Sequence, residues 1–260
     1  MKKTAFLTTI TALVLLILLT VAAYAQPAGE LYQVSTINAL MQGVYDGEQT
    51  VKDLKQHGDF GLGCPERLDG ELIALDGKFY QIQSTGKVVL LNDSMKIPFG
   101  TVMHFKAKAP QTIQNIASFR ELENRFDTII KERNYFYAIR MDGVFDYVKT
   151  RSIPPQNKPY KTLSEAAKEQ NVFELHNVKG TIVGFWAPQY VNGVNLPGYH
   201  LHFISEDRQS GGHVLDLHFS TAAYQLNKIT NFYMSLPLDG DFRHVNLEKD
   251  LSRELKKVEN

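Results

Sequence analysis

A single cysteine, Cys64, occurs among the 260 residues, which excludes an internal disulfide and any metal centre built on a cysteine cluster. Net charge is missing too: 28 Lys and Arg stand against 28 Asp and Glu, so nothing electrostatic argues for nucleic acid or an anionic membrane as partner. There is no internal repeat and no low-complexity tract, and the plentiful aromatic residues leave no case for intrinsic disorder. After the opening run "ALVLLILLTVAA" no stretch is long and apolar enough to form a second anchor. Any metal must therefore be held by His, Asp or Glu.

The opening has the three parts of a secretory signal peptide. Lys2 and Lys3 precede the apolar run, and Ala23-Tyr24-Ala25 supplies small residues just before Gln26. The expectation is cleavage after Ala25, loss of residues 1 to 25, and export of a soluble chain to the periplasm or the medium. Residues 26 to 260 suffice for one large domain or two small lobes around a sizeable core.

Thr36 begins "TINALMQGVYDG", and Thr50 with Asp53 begins "TVKDLKQHGD"; both read as short capped helices. "ELIALDGKFYQI" is two alternating runs joined by Asp76-Gly77, a strong hairpin signal. "KVVLLN" and "GTVMHFKAK" add strand candidates. Apolar positions at helical spacing predict a helix over residues 113 to 133, followed by a strand in "NYFYAIRMDGVFDYVKTRS" with a possible break at Asp142-Gly143. Pro154, Pro155 and Pro159 make "IPPQNKPY" an extended connector and a lobe boundary, dividing residues 26–153 from 154–260. Thr162 and Glu165 form a capping box, three strands follow through "HVLDLHF", and "LEKDLSRELKKVEN" is helical in composition. The fold class expected is α+β: two lobes of mixed and antiparallel sheet with a few short helices.

The histidines of "GYHLHFISEDRQSGGHVLDLHF" carry the first functional signal. On a strand His200 and His202 share a face while Leu201 and Phe203 take the other. A hairpin placing His213 opposite His202 would bring three imidazoles to one point, the donor set of many zinc sites. His218 falls on the opposite face from His213 by parity, and His57, His104, His176 and His244 lack partners. The same stretch, with Gly193 and Glu206, also resembles the first motif of cupin barrels. The second cupin motif is only approximated by "PLDGDFRH", where both spacings are one residue too long.

Two further residues stand out from their surroundings. Glu71 shares a hairpin face with Ile73 and Leu75, and by register with Tyr80 and Ile82, so it is either a rim residue or a buried carboxylate able to shuttle protons. Arg151, at a strand end where proline takes over, can present its planar fork to a carboxylate or remain a solvated loop residue.

Three blocks in collinear order resemble bacterial acetolactate decarboxylases: "RLDGELIALDGKFYQI", "NYFYAIRMDGVFDYVKTRSIPPQNKPY" and "GTIVGFWAPQYVNGVNLPGYHLHFISEDRQSGGHVLDL". The resemblance runs from about Thr36 to the end. It implies a zinc ion held by His200, His202 and His213, with Glu71, Arg151 and a glutamate of the carboxy-terminal tail in the active site. Glu259 in "KKVEN" is the better match for that last residue and Glu254 the weaker. Relatives usually read Gly-Leu-Gly-Thr where this chain reads "GLGC", which puts Cys64 at a substrate-facing position with a larger, softer and weaker donor. The activity implied is decarboxylation of 2-acetolactate to acetoin, as the R form, through a metal-stabilised enediolate, by a protein that pairs as a homodimer. A cupin-like metalloenzyme acting on another small oxo or hydroxy acid is the alternative, as is a non-catalytic exported zinc-binding protein needing neither Glu71 nor Arg151.

Overall fold

The structure, a computed structural model, describes residues 29–106 and 109–259. The expected signal peptide lies outside the described residues. Among the described residues no helix is long and apolar enough to cross a membrane.

The chain forms β1 (Glu30–Val34), β2 (Gln49–Thr50), β3 (Phe60–Cys64), β4 (Glu71–Leu75), β5 (Lys78–Ile82), β6 (Val88–Leu90), β7 (Lys96–Ile97) and β8 (Phe99–Met103). It continues with β9 (Gln111–Ile116), β10 (Phe136–Ser152), β11 (Asn171–Ala187), β12 (Gly198–Ser205), β13 (Gly211–Ile229) and β14 (Asn231–Ser235). The helices are α1 (Ile37–Met41), α2 (Val51–Lys55), α3 (Phe119–Ile129), α4 (Leu163–Ala166) and α5 (Ser252–Glu259). This is the mixed α+β architecture expected from the sequence.

One sheet runs β14-β1-β8-β3-β4-β5-β6, with β14 parallel to β1 and its other neighbours antiparallel. The second runs β10-β11-β12-β13-β9, and β10 also pairs with β13, so β10 to β13 close on themselves. Each sheet draws strands from both sides of Pro154. Sheet membership therefore does not follow the expected division at residue 154: β14 returns to the first sheet, and β10 spans the second from end to end. The proline segment is instead a connector carrying the chain from the end of β10 to α4.

Alternation along the strands sorts the core into layers. Ile73 and Leu75 of β4 pack with Phe60, Leu62, Val183, Phe185 and Ile204 between the two sheets. Leu72 and Ala74 point the other way, against Val51 and Leu54 of α2. The second sheet holds its own core of Phe145, Phe203, Phe219 and Leu201, covered by Leu122 and Phe126 of α3. Each fully buried side chain of this size stabilises the fold by about 1.5–3 kcal/mol.

The Asp76-Gly77 hairpin forms as expected, pairing Glu71 with Ile82 and Ile73 with Tyr80. Both capping boxes also form: Asp53 accepts from the Thr50 amide at 2.8 Å, and Glu165 from the Thr162 amide at 3.0 Å. Two expectations differ from the structure. Residues 111 to 116 are strand, and the helix starts only after Ser118, whose hydroxyl accepts from the Glu121 amide. Asn115 has φ 55, and this kink lets Ile113 and Ile116, three residues apart, both turn inward and imitate helical spacing. Nor is β10 broken at Gly143. A Cβ there would sit 3.0 Å from that of Ala222, so the glycine permits close approach of β13 and makes no turn.

Gly212 adjoins His213 at φ +142, and a Cβ on it would lie 2.6 Å from the Arg151 carbonyl oxygen. The expected result of Gly212→Ala is a destabilisation of about 1–3 kcal/mol, from steric overlap and backbone strain together. Chemical denaturation would measure it, and an unchanged midpoint would show that β13 can shift away from β10 at no cost.

Candidate active site

Strand pairing assembles the site before any side-chain preference acts. Arg151 of β10 lies opposite His213 of β13, and His213 lies opposite His202 of β12, so the three form one row across adjacent strands. Residues directly opposite on paired strands point to the same face. His200 joins them from two residues along β12. From the facing sheet, Glu71 stands among Ile73 and Leu75 and looks back at the row.

The potential ligand atoms of His200, His202 and His213 all lie within 4.8 Å of one another. His200 Nε2 and His202 Nε2 are 3.2 Å apart. Two donors in tetrahedral contact with a zinc ion stand roughly 3.3 Å apart, given the usual metal–nitrogen distance. His202 Nδ1 lies 2.9 Å from the carbonyl oxygen of Leu72. A carbonyl only accepts, so Nδ1 carries the hydrogen and Nε2 presents its lone pair towards His200. Burial lowers the proton affinity of all three rings, and Arg151 adds to the effect in each; His202 is pushed down to about 3. His213 Nδ1 is buried without a hydrogen-bond partner. Neutral imidazoles with converging lone pairs fit a divalent transition-metal cation.

Arg151, 3% exposed, is held between two carboxylates. Its Nη1 is 3.1 Å from Glu71 Oε1, and its Nη2 is 3.5 Å from Glu259 Oε1. The other oxygens reach the histidines: Glu71 Oε2 is 3.5 Å from His202 Nε2, and Glu259 Oε2 is 3.4 Å from His213 Nε2. Burial raises the Glu71 carboxyl to about 7 against the opposing pull of Arg151, with Glu259 adding a smaller upward push. Burial likewise raises Glu259, and Arg151 again opposes it. Arg151 Nε is buried with no hydrogen-bond partner.

The structure thus gathers Glu71, Arg151, His200, His202, His213 and Glu259 at one point. Cys64 lines the same cavity with Phe99, Leu40 and Leu163, and its buried thiol stays protonated, raised first by burial and then by Glu71. Glu254 is exposed on the outer side of α5 and takes no part. The cupin pattern does not assemble: Glu206 is exposed and pairs with Lys179 at 2.7 Å, and His244 is exposed near the end of the chain. His218 is exposed beside Tyr147, as parity requires. Sequence reasoning missed the Leu72 carbonyl, because a backbone acceptor leaves no mark in residue identity. It also missed the cover over the site, where Ile37 of α1, Leu163 of α4 and Leu255 and Val258 of α5 share one cluster with Cys64.

His202→Ala is expected to abolish tight zinc binding, since it removes the ligand anchored by Leu72, whereas His218→Ala retains it. Equilibrium dialysis with metal analysis distinguishes the two. Equal zinc content in both variants would rule out the three-histidine site.

A model of the alpha-acetolactate decarboxylase family matches residues 31–249. The chain is 49% identical to the alpha-acetolactate decarboxylase of Methanosarcina mazei over 88% of its own length and 80% of the relative's. It is 44% identical to that of Brevibacillus brevis over 92% and 84% respectively. The crystal structure of alpha-acetolactate decarboxylase from Bacillus subtilis strain 168 superposes with a TM-score of 0.86 at 39% identity, covering 88% of this chain and 99% of that one. By sequence over most of its length, and by the fold that carries the site, the chain belongs to the alpha-acetolactate decarboxylase family of carboxy-lyases.

Proposed function

We propose that the chain catalyses zinc-dependent decarboxylation of 2-acetolactate to (R)-acetoin through an enediolate. Family membership supports the carboxy-lyase reaction on acetolactate. The observation that carries the rest is the joining of three neutral imidazoles to two buried carboxylates around one buried guanidinium. His200, His202 and His213 would hold the zinc ion, which when bound supplies Lewis-acid charge beside the hydroxyl and ketone oxygens of the substrate.

Arg151 orients the substrate. Its Nε–H is buried without a partner and donates to the substrate carboxylate, holding the breaking carbon–carbon bond perpendicular to the carbonyl plane so that its electrons pass into the π system. Carbon dioxide leaves, and the electron pair resides on the enediolate. Burial keeps water away from that charge while fixed dipoles stabilise it. Glu71 then delivers its proton to the carbon that lost carbon dioxide, a task suited to a carboxyl whose pKa is raised to about 7. Glu259, across Arg151, accepts from the substrate hydroxyl. With Glu71 on one side only, delivery to a single face sets the configuration of acetoin.

The reading extends to export after cleavage near Ala25, supported by the composition of residues 1 to 25. It extends also to a homodimer, supported by the exposed Tyr233, Met234, Leu236 and Leu238 on and just beyond the edge strand β14.

The purified chain is expected to make acetoin rapidly from racemic acetolactate, to lose this activity to a chelator, and to recover it with zinc. Glu71→Gln is expected to keep its zinc while kcat falls by about 100-fold or more. No acetoin from a folded, zinc-loaded chain would refute the reaction, and full activity in the Gln variant would remove Glu71 from the mechanism. A protein that merely bound zinc would be indifferent to the substitution.

A further inference from the structure

The cavity that reaches the histidines measures about 30 Å³. That is room for a water or two, not for a five-carbon acid. A second cavity of about 330 Å³ lies on the far side of Glu259, between the start of α3, the beginning of β12 and α5. Glu259 lines both cavities. Among the described residues no other lines both.

The larger cavity reaches the start of β12 from both faces, through Gly198 and Tyr199. Gly198 lines it, and strand alternation puts Gly198 on the same face as His200 and His202. A Cβ on Gly198 would meet nothing within 4 Å, so the backbone there forms an open floor leading towards His200. His200 is the one half-buried member of the triad, while His202 and His213 are buried. Arg120 and Lys256, both exposed, line the mouth of this cavity together with Glu123. Arg120 Nη1 lies 3.1 Å from Glu123, an exchangeable surface pair, with the arginine side chain 82% exposed.

We propose that this cavity is an antechamber for the short 2-hydroxycarboxylate anion that the enzyme consumes, with Arg120 and Lys256 attracting it and the Glu259 side chain forming the partition to the metal site. The proposal rests on the carboxylate substrate class of the preceding section. Movement of Glu259 away from His213 joins the two cavities and provides the volume that the smaller lacks. The acid then slides along Gly198 to His200 and exchanges the surface cations for Arg151. Glu259 closes behind it, in position to meet the substrate hydroxyl.

The test is the double variant Arg120→Glu with Lys256→Glu, compared with wild type at rising ionic strength, both checked for equal zinc content and thermal midpoint. At low salt kcat/KM is expected to fall about tenfold with kcat unchanged, and the gap to close as salt screens the charges. If the reversal impairs folding, Arg120→Gln with Lys256→Gln gives a smaller shift of the same kind. A second readout is independent of turnover: the association rate of 2-hydroxyisobutyrate, a non-reacting acid of the same class. Stopped-flow fluorescence can follow it on Trp186, the sole tryptophan, whose ring centroid is 6.5 Å from that of Tyr199 in the antechamber wall. Equal association rates in wild type and variant, or a loss confined to kcat at every ionic strength, overturns the antechamber. Absence of acetoin from the wild type bears on the reaction alone, and the association rates then decide the matter by themselves.

Discussion

A guanidinium cannot be buried alone, and Arg151 is buried almost completely. Its two partners come from opposite directions: Glu71 from a strand of the facing sheet, and Glu259 from the last helix. Removing either would leave charge uncompensated in the interior, a change that ordinarily costs several kcal/mol. The requirement to pair this one cation therefore ties both sheets and the carboxy-terminal helix to a single point. It also bears on the histidines. Burial is the first cause of their low proton affinity, but a fixed positive charge beside them acts in the same direction, leaving the lone pairs of all three rings open.

The charge balance of the site points the same way. With both glutamates ionised, one guanidinium against two carboxylates leaves a buried net negative charge, and the neutral imidazoles offer nothing to offset it. Burial is the first cause of the raised proton affinity of Glu71 and Glu259, and at Glu71 the neighbouring carboxylate adds to it. A divalent cation at the imidazoles would reverse it, making the pocket hospitable to an anionic substrate. The buried Arg151 Nε–H, His213 Nδ1 and Glu259 Oε2, each without a hydrogen-bond partner, are the remaining unsatisfied groups where such occupants would be expected.

Much of this was legible in the sequence, for a physical reason. Strand parity is a rigid rule, so the facing of His200 with His202, the opposition of His213 to His202 in a hairpin and the sharing of one face by Glu71, Ile73 and Leu75 followed from counting residues, while whether Glu71 is buried did not. The failures occurred where backbone geometry departs from that rule. Asn115 bends β9 enough to make a strand read with helical spacing, and Gly143 reads as a turn where it allows two strands to approach. That sheet membership crosses residue 154 was not legible, because nothing local in Asn231–Ser235 says that this strand returns to lie parallel to β1. Arg151 stood out at a strand end, but whether it is buried or solvated stayed open, since its burial depends on carboxylates 80 and 108 residues away.

Glu259 differs from the rest of the site in how firmly it is held. Arg151, His202, His213 and Glu71 sit within paired strands, where movement of one disturbs a ladder of hydrogen bonds. Glu259 ends a helix of eight residues, too short to be stable by itself, whose buried apolar anchors are Leu255 and Val258. Two such anchors stabilise its docking by about 3–6 kcal/mol at most, a quantity comparable to the binding energy of a small charged ligand. The site is thus rigid where metal geometry and carboxylate orientation demand it. It is held more weakly at Glu259, which among the described residues is the one that lines both cavities. In the proposed mechanism, a proton-handling group on the yielding element would couple closure to reactivity, because Glu259 would meet the substrate hydroxyl only once the partition is back in place.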